Sequence, residues 1–255
     1  MNQKIALITG ATAGIGYETA HLLAQNNYNL ILTGRRKERL ESLRKSLEST
    51  FDSKIITLNF DIRIKTETEQ ALNSLPDDWK QIDVLINNAG LAAGLAPVNS
   101  ADVDDWEDMI DTNVKGLLYT SRIVSSWMIE HQTGHIISIS SIAGRESYPN
   151  GSVYCGTKHA VEAISKAMRI ELLPYGIKVT TIAPGAVDTE FSLVRFRGDK
   201  DRAAKVYKGF TPLSAKDIAE TILFVVTRPP HVNIDDILIM PTSQGSARDF
   251  NKKLE

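Results

Sequence analysis

Residues 9–16 read TGATAGIG and lie between two runs of opposite character. Before them, KIALIT (4–9) is a short apolar run that suits a buried strand. After them, YETAHLLAQ places Ala20, Leu23 and Ala24 on one face of a helix. A strand that turns through glycine into a helix aims the helix's free N–H groups at the turn, where they can hold a pyrophosphate. Gly10 opens the turn, and Gly14 and Gly16 lead into the helix. The spacing GxxxGxG differs from GxGxxG, so a longer and differently shaped loop is expected.

The rest of the chain repeats this alternation. Strand patterns occupy 29–33, 54–62, 82–90, 134–141, 177–185 and a last apolar run, DDILIMP. Helical patterns lie between them, including a long one over 102–130 and one through Tyr154 to Leu173. Such alternation specifies an α/β fold, a single-domain Rossmann-type doubly wound parallel sheet of about seven strands with helices on both faces. Ligands in such folds sit at the carboxyl ends of the strands. There fall the glycine loop, Arg35, Asp61, Asn87 to Gly90, Ser141 and Pro184-Gly185.

A chain of 255 residues suits one domain spanning 1–255. Its 29 Lys+Arg against 31 Asp+Glu give no electrostatic case for nucleic acid or an anionic membrane. No apolar run approaches the roughly 18 residues of a membrane helix. The first strand begins at once, so no signal peptide is expected ahead of it. Cys155 is the only cysteine, which excludes an internal disulfide and suits a cytoplasmic chain; it reads as a small buried helix residue.

The second strand carries the cofactor clue. NAD-binding folds place an acid near its end to hold the ribose 2′-hydroxyl. Here Gly34-Arg35-Arg36-Lys37 stands instead, and the first acid is Glu38. Arginine suits a 2′-phosphate because its planar fork makes charge-assisted bonds of about 1.5–3 kcal/mol each. NADP(H) is therefore expected over NAD(H), with Arg35 on the phosphate and Arg36 stacking on adenine or sharing the phosphate.

Tyr154 and Lys158 lie one helical turn apart and share a face. A tyrosine ordinarily titrates near pH 10, and a neighbouring ammonium favours its ionised form. The pair therefore reads as a general base tuned by a lysine, with Ser141 at a strand end to hold the substrate oxygen.

Over its whole length the chain resembles the short-chain dehydrogenase/reductase superfamily. The resemblance is carried by Thr9-Gly10…Gly14…Gly16, Asp61, Asn87-Asn88-Ala89-Gly90, Asn113, Ser141, Tyr154…Lys158 and Pro184-Gly185…Thr189. It implies catalytic roles for Ser141, Tyr154 and Lys158, and for Asn113 a disturbed helix holding a water that links the lysine to solvent. It implies that Asp61 contacts the adenine amine and that Asn88, Ala89 and Gly90 line the adenosine ribose. Thr189 would bond the nicotinamide carboxamide or a phosphate. Thr12, Ala13, Ile15, Ile62 and Val187 complete the expected cofactor contacts. The resemblance also suggests a homotetramer, with the helices near 102–130 and 152–173 as contact faces.

Four stretches, TGRRKERL, DWEDMIDTN, SIAGRESYPNGSVYCGTK and TEFSLVRFRGD, are similar to the NADP-dependent 3-hydroxy acid dehydrogenases, a group that includes serine and allo-threonine dehydrogenases and malonic semialdehyde reductases. That narrower resemblance implies reversible oxidation of the 3-hydroxyl of a small acid. A lid is expected over about 188–212. Arg195, Arg197 and Arg145 are the candidates for anchoring the substrate carboxylate, with Phe191, Phe196 and Phe210 packing the lid. Two other functions stay open. A 3-oxoacyl thioester reductase would need a mouth for a bulky carrier. A non-catalytic NADP(H)-sensing protein should lack Tyr154 or Lys158, and both are present.

Overall fold

A computed structural model describes residues 3–253; the first and last two residues of the expected 1–255 domain lie outside it. In chain order the elements are β1 (Ile5–Ile8), α1 (Gly14–Gln25), β2 (Asn29–Gly34), α2 (Lys37–Thr50), β3 (Ile55–Asn59), α3 (Lys65–Asn73) and β4 (Val84–Asn87). They continue with α4 (Val103–Ile110), α5 (Leu117–His131), β5 (Gly134–Ile139), α6 (Ser152–Leu172), β6 (Ile177–Pro184) and β7 (Val187–Asp188). Last come α7 (Phe191–Arg195), α8 (Lys200–Val206), β8 (Leu213–Ser214), α9 (Ala215–Val226) and β9 (Asp236–Ile239).

Seven strands form one parallel sheet in the order β3-β2-β1-β4-β5-β6-β9. The order reverses beside β1, so the carboxyl ends of β1 and β4 open onto a crevice. Each central strand is apolar on both faces. Ala6 and Ile8 pack with α1 and α9 residues on one side, and Leu7 packs with α5 residues Val124 and Met128 on the other. Burying each such side chain contributes about 1.5–3 kcal/mol. Among the described residues no helix is long and apolar enough to cross a membrane.

Three stretches differ from what periodicity alone suggests. The strand expected over 54–62 ends at Asn59, because Asp61 turns away to bond Arg63. The long helix expected over 102–130 is interrupted by a π-helical turn at Asp111–Gly116, between α4 and α5. The loop expected as a lid contains α7 and α8. Its two ends are joined by a separate pair, β7 with β8, in the register Val187↔Leu213 and Asp188↔Ser214.

Candidate active site

The glycine loop is stitched to the end of β4. Thr9 Oγ1 donates to the Ile86 carbonyl and accepts from the backbone N–H groups of Asn88 and Ala89, both at 3.0 Å. The Asn88 side-chain amide donates back to the Thr9 carbonyl at 2.8 Å. Gly10 takes φ +69°, the left-handed region, and a Cβ on Gly16 would stand 2.5 Å from both the Asn88 amide nitrogen and the Gly10 carbonyl. No side chain caps α1, and its first turn holds no acid, so its leading N–H groups face the crevice unpaired. These donors suit a pyrophosphate.

The crevice is a cleft of about 800 Å³. Its lining includes all of the residues expected to bind cofactor except Gly16, which packs behind the loop. At the β2 end, the Arg35 side chain is 55% exposed and 3.7 Å from Asp61, leaving its fork available to a further phosphate. Arg36 is engaged within the protein: it donates to Thr12 Oγ1 through Nε (3.0 Å) and Nη2 (2.7 Å), and to Glu190 through Nη1 (2.8 Å). Burial alone would raise the Asp61 carboxyl, but the bonds from Arg63 outweigh it and hold the group below its ordinary value. The donor set at this end, cationic and without an unpaired acid, fits a dinucleotide that carries a 2′-phosphate.

The other end of the cleft gathers Ser141, Tyr154 and Lys158. Ser141 sits just past β5, where its Oγ caps the next turn by accepting from Ala143 N at 3.1 Å, and it lines the cleft beside Tyr154. Tyr154 and Lys158 are 7% and 6% exposed on the first turns of α6. Burial pushes the Tyr154 phenol up, and the Tyr148 phenol adds to this; Ser141 and Arg195 oppose it. Burial pulls Lys158 down to about 8, against the Glu162 carboxylate that favours its charge. Desolvation dominates both groups and opposes the ionisation of Tyr154 that the lysine is expected to favour.

Lys158 Nζ donates to the Ile139 carbonyl at 2.9 Å. Asn113 lies in the π turn and reaches the chain after β4: its Oδ1 accepts from Leu91 N and its Nδ2 donates to Leu91 O, both at 2.8 Å. A Cβ on Gly90 would fill the gap between Asn113 Oδ1 (3.2 Å) and Lys158 Nζ (3.5 Å). Glycine there keeps open a space that both polar groups face.

Above Tyr154 lies the segment expected to form a lid. The Arg195 guanidinium sits 5.3 Å from the Tyr154 ring centroid and donates to the Tyr148 hydroxyl at 2.8 Å. It lines the cleft without a carboxylate partner among the described residues. The other arginine candidates are placed differently. Arg197 is bonded to Asp102 (2.7 Å) and Asp105 (2.8 Å) on the α4 side. Arg145 lies outside the cleft lining, ion-paired with Asp236 and 3.9 Å from Glu162. The expectation of Arg145 as a carboxylate anchor is therefore corrected: its charge is neutralised beside β9. Phe191, expected only to pack the lid, lines the cleft with its ring 5.8 Å from that of Tyr154. Phe210 packs on Phe250 at 4.8 Å.

Tyr148, Glu190, Gln244 and Arg248 are among the cleft residues that no sequence motif singles out. Gln244 holds Ala186 N after β6 at 2.8 Å, and Arg248 lies 5.4 Å from the Tyr148 ring centroid. Both come from the segment after β9, which carries no motif that marks it.

Comparison with known proteins agrees with this geometry. A family profile described as short chain dehydrogenase matches residues 4–198. An NADP-dependent 3-hydroxy acid dehydrogenase of Salmonella typhimurium is 46% identical over 244 residues, covering 95% of this chain and 97% of that protein. Another so named, from Schizosaccharomyces pombe, is 43% identical and covers 99% and 98%. Among solved structures, a closed form of serine dehydrogenase complexed with NADP+ superposes with a TM-score of 0.91 at 43% identity, covering 98% of this chain and 100% of that one. A serine dehydrogenase from Escherichia coli gives 0.81 at 40%, covering 94% and 99%. The chain belongs to the short-chain dehydrogenase family.

Proposed function

We propose that this protein oxidises the 3-hydroxyl of a small 3-hydroxy acid, reversibly and with NADP as hydride acceptor. The observation that carries the substrate class is Arg195: a guanidinium with no carboxylate partner among the described residues, held over the Tyr154 ring in the cleft. An acid whose carboxylate met that guanidinium would present its hydroxyl to Ser141 and Tyr154. The relatives named NADP-dependent 3-hydroxy acid dehydrogenase support the same reading over nearly the full chain.

In this account Ser141 holds the substrate oxygen and Tyr154 removes the hydroxyl proton. An oxidised nicotinamide bound in the cleft would supply the hydride acceptor and a positive charge that favours the ionised phenol. Tyr154 needs such charge, because burial opposes its ionisation. Lys158 provides a second cation on the same helix, and Arg195 a third above the ring. Asn113 and Lys158 face the space beside Gly90, where a water can pass the proton outward. Arg35 reads the 2′-phosphate and the leading N–H groups of α1 hold the pyrophosphate. Residues 188–212 act as the lid, closing the substrate end from bulk water.

The assembly is read as a homotetramer in the cytoplasm. Apolar side chains left exposed on α5 and α6 and just beyond, Leu118, Ile170 and Leu173, support the first part. The unpaired, buried Cys155 supports the second, which cell fractionation tests.

Arg195→Gln tests the substrate assignment. It is expected to raise KM for the hydroxy acid about 10- to 100-fold while leaving the dissociation constant of NADPH within about twofold. An unchanged KM would remove Arg195 as the anchor.

A further inference from the structure

We propose that Glu190 is a positioning residue that fastens the root of the lid to α2 across the mouth of the cleft, so that a bound dinucleotide is retained by the closed strap as well as by its own contacts. The proposal rests on the dinucleotide reading of the cleft given above.

Glu190 stands between Thr189, which lines the cleft, and α7, which begins the lid. Its carboxylate is shared by two arginines. Arg36 Nη1 donates to Oε2 at 2.8 Å, and Arg39 Nη1 donates to Oε1 at 2.8 Å and to Oε2 at 3.1 Å. Through its other nitrogens Arg36 also holds Thr12 of the glycine loop. One carboxylate thus joins three separate pieces of chain: the glycine loop, the first turn of α2 and the lid root. Beside it, the Thr189 side chain packs 3.3 Å from where a Cβ on Gly14 would stand, so the strap already rests on the glycine loop.

The lid has a second fastening farther along, Arg197 on Asp102 and Asp105, on the α4 side. Glu190 is the acid that fastens the lid on the dinucleotide side. Thr12, Arg36 and Glu190 line the cleft, whereas Arg39 does not. Arg39 therefore bears on a bound dinucleotide through Glu190 rather than by contact. The three side chains are 43–50% exposed, so each ion pair by itself is weak and the clasp is built to open.

The test is the rate of NADPH release, followed by loss of cofactor fluorescence on mixing with excess NADP, for the wild type, Glu190→Gln, Arg39→Gln and the double variant. Glu190→Gln, which weakens both arginine contacts, is expected to speed release about fivefold, and Arg39→Gln, which leaves the Arg36 contact, about twofold. The double variant should release no faster than Glu190→Gln, because Arg39 acts through that carboxylate. The melting temperature should be unchanged, and release of NADH should accelerate by the same factor, since the clasp does not read the 2′-phosphate. Wild-type release from Arg39→Gln, or effects of the two changes that multiply, would overturn the proposal. Failure of the wild type to bind NADPH at all would overturn the dinucleotide reading and the clasp with it. Binding with unaltered release in Arg39→Gln would overturn the clasp alone.

Discussion

Lys158 shows what the site asks of a single side chain. It is held nearly without solvent, and burial lowers it from an ordinary value of 10.5 to about 8. Between those two values the unfolded chain binds the proton more tightly than the folded one, so the lysine's contribution to stability rises with pH across this window. Below pH 8 the folded protein carries a buried ammonium at a cost. Lys158→Met should therefore raise stability at pH 6–7 by about 1–2 kcal/mol, even though the Ile139 carbonyl loses its donor. The gain should shrink as the pH passes 8 and be gone near 10. Thermal unfolding of both proteins across that range checks this, and a difference that does not vary with pH would contradict it. That the lysine, its partner tyrosine and the strand-end serine fall in one cleft was legible from their spacing taken together with the glycine loop. Tyr148 and Arg248 were not, because a side chain that reaches the cleft from a loop follows no period.

At the scale of elements, the π turn and the lid are where the chain departs from regular structure. Helical periodicity runs through 102–130 without a break, because an extra residue in one turn barely alters the apolar stripe. What the turn does is visible only in three dimensions: it carries Asn113 across to Leu91, where two hydrogen bonds satisfy backbone groups that no strand pairs. Asn113→Ala leaves both without these partners and should cost about 3 kcal/mol, measured by urea unfolding. A loss under about 0.5 kcal/mol would show that water replaces the side chain at no cost. The seven strands were legible because alternation of short apolar runs with amphipathic helices admits few topologies. The β7–β8 pair was not, since two residues on each side carry no pattern.

For the whole molecule, the sheet's point of reversal, the glycine loop and the lid place a phosphate-binding end and a proton-transfer end in one cleft. Leu118 on α5 and Ile170 near the end of α6 are apolar and exposed. Sedimentation velocity should give a tetramer as the main species, and a monomer at micromolar concentration would contradict that assembly. Formation of NADPH at 340 nm reports the oxidation itself. Purified protein is mixed with NADP and a panel of L-serine, D-serine, L-allo-threonine, D-threonine and 3-hydroxypropionate, with Tyr154→Phe and NAD as controls. Turnover of one or more of these acids is expected with NADP, far less with NAD, and none with Tyr154→Phe despite intact NADPH binding. Absence of turnover across the panel while NADP binds, or full activity of Tyr154→Phe, would contradict the proposed function.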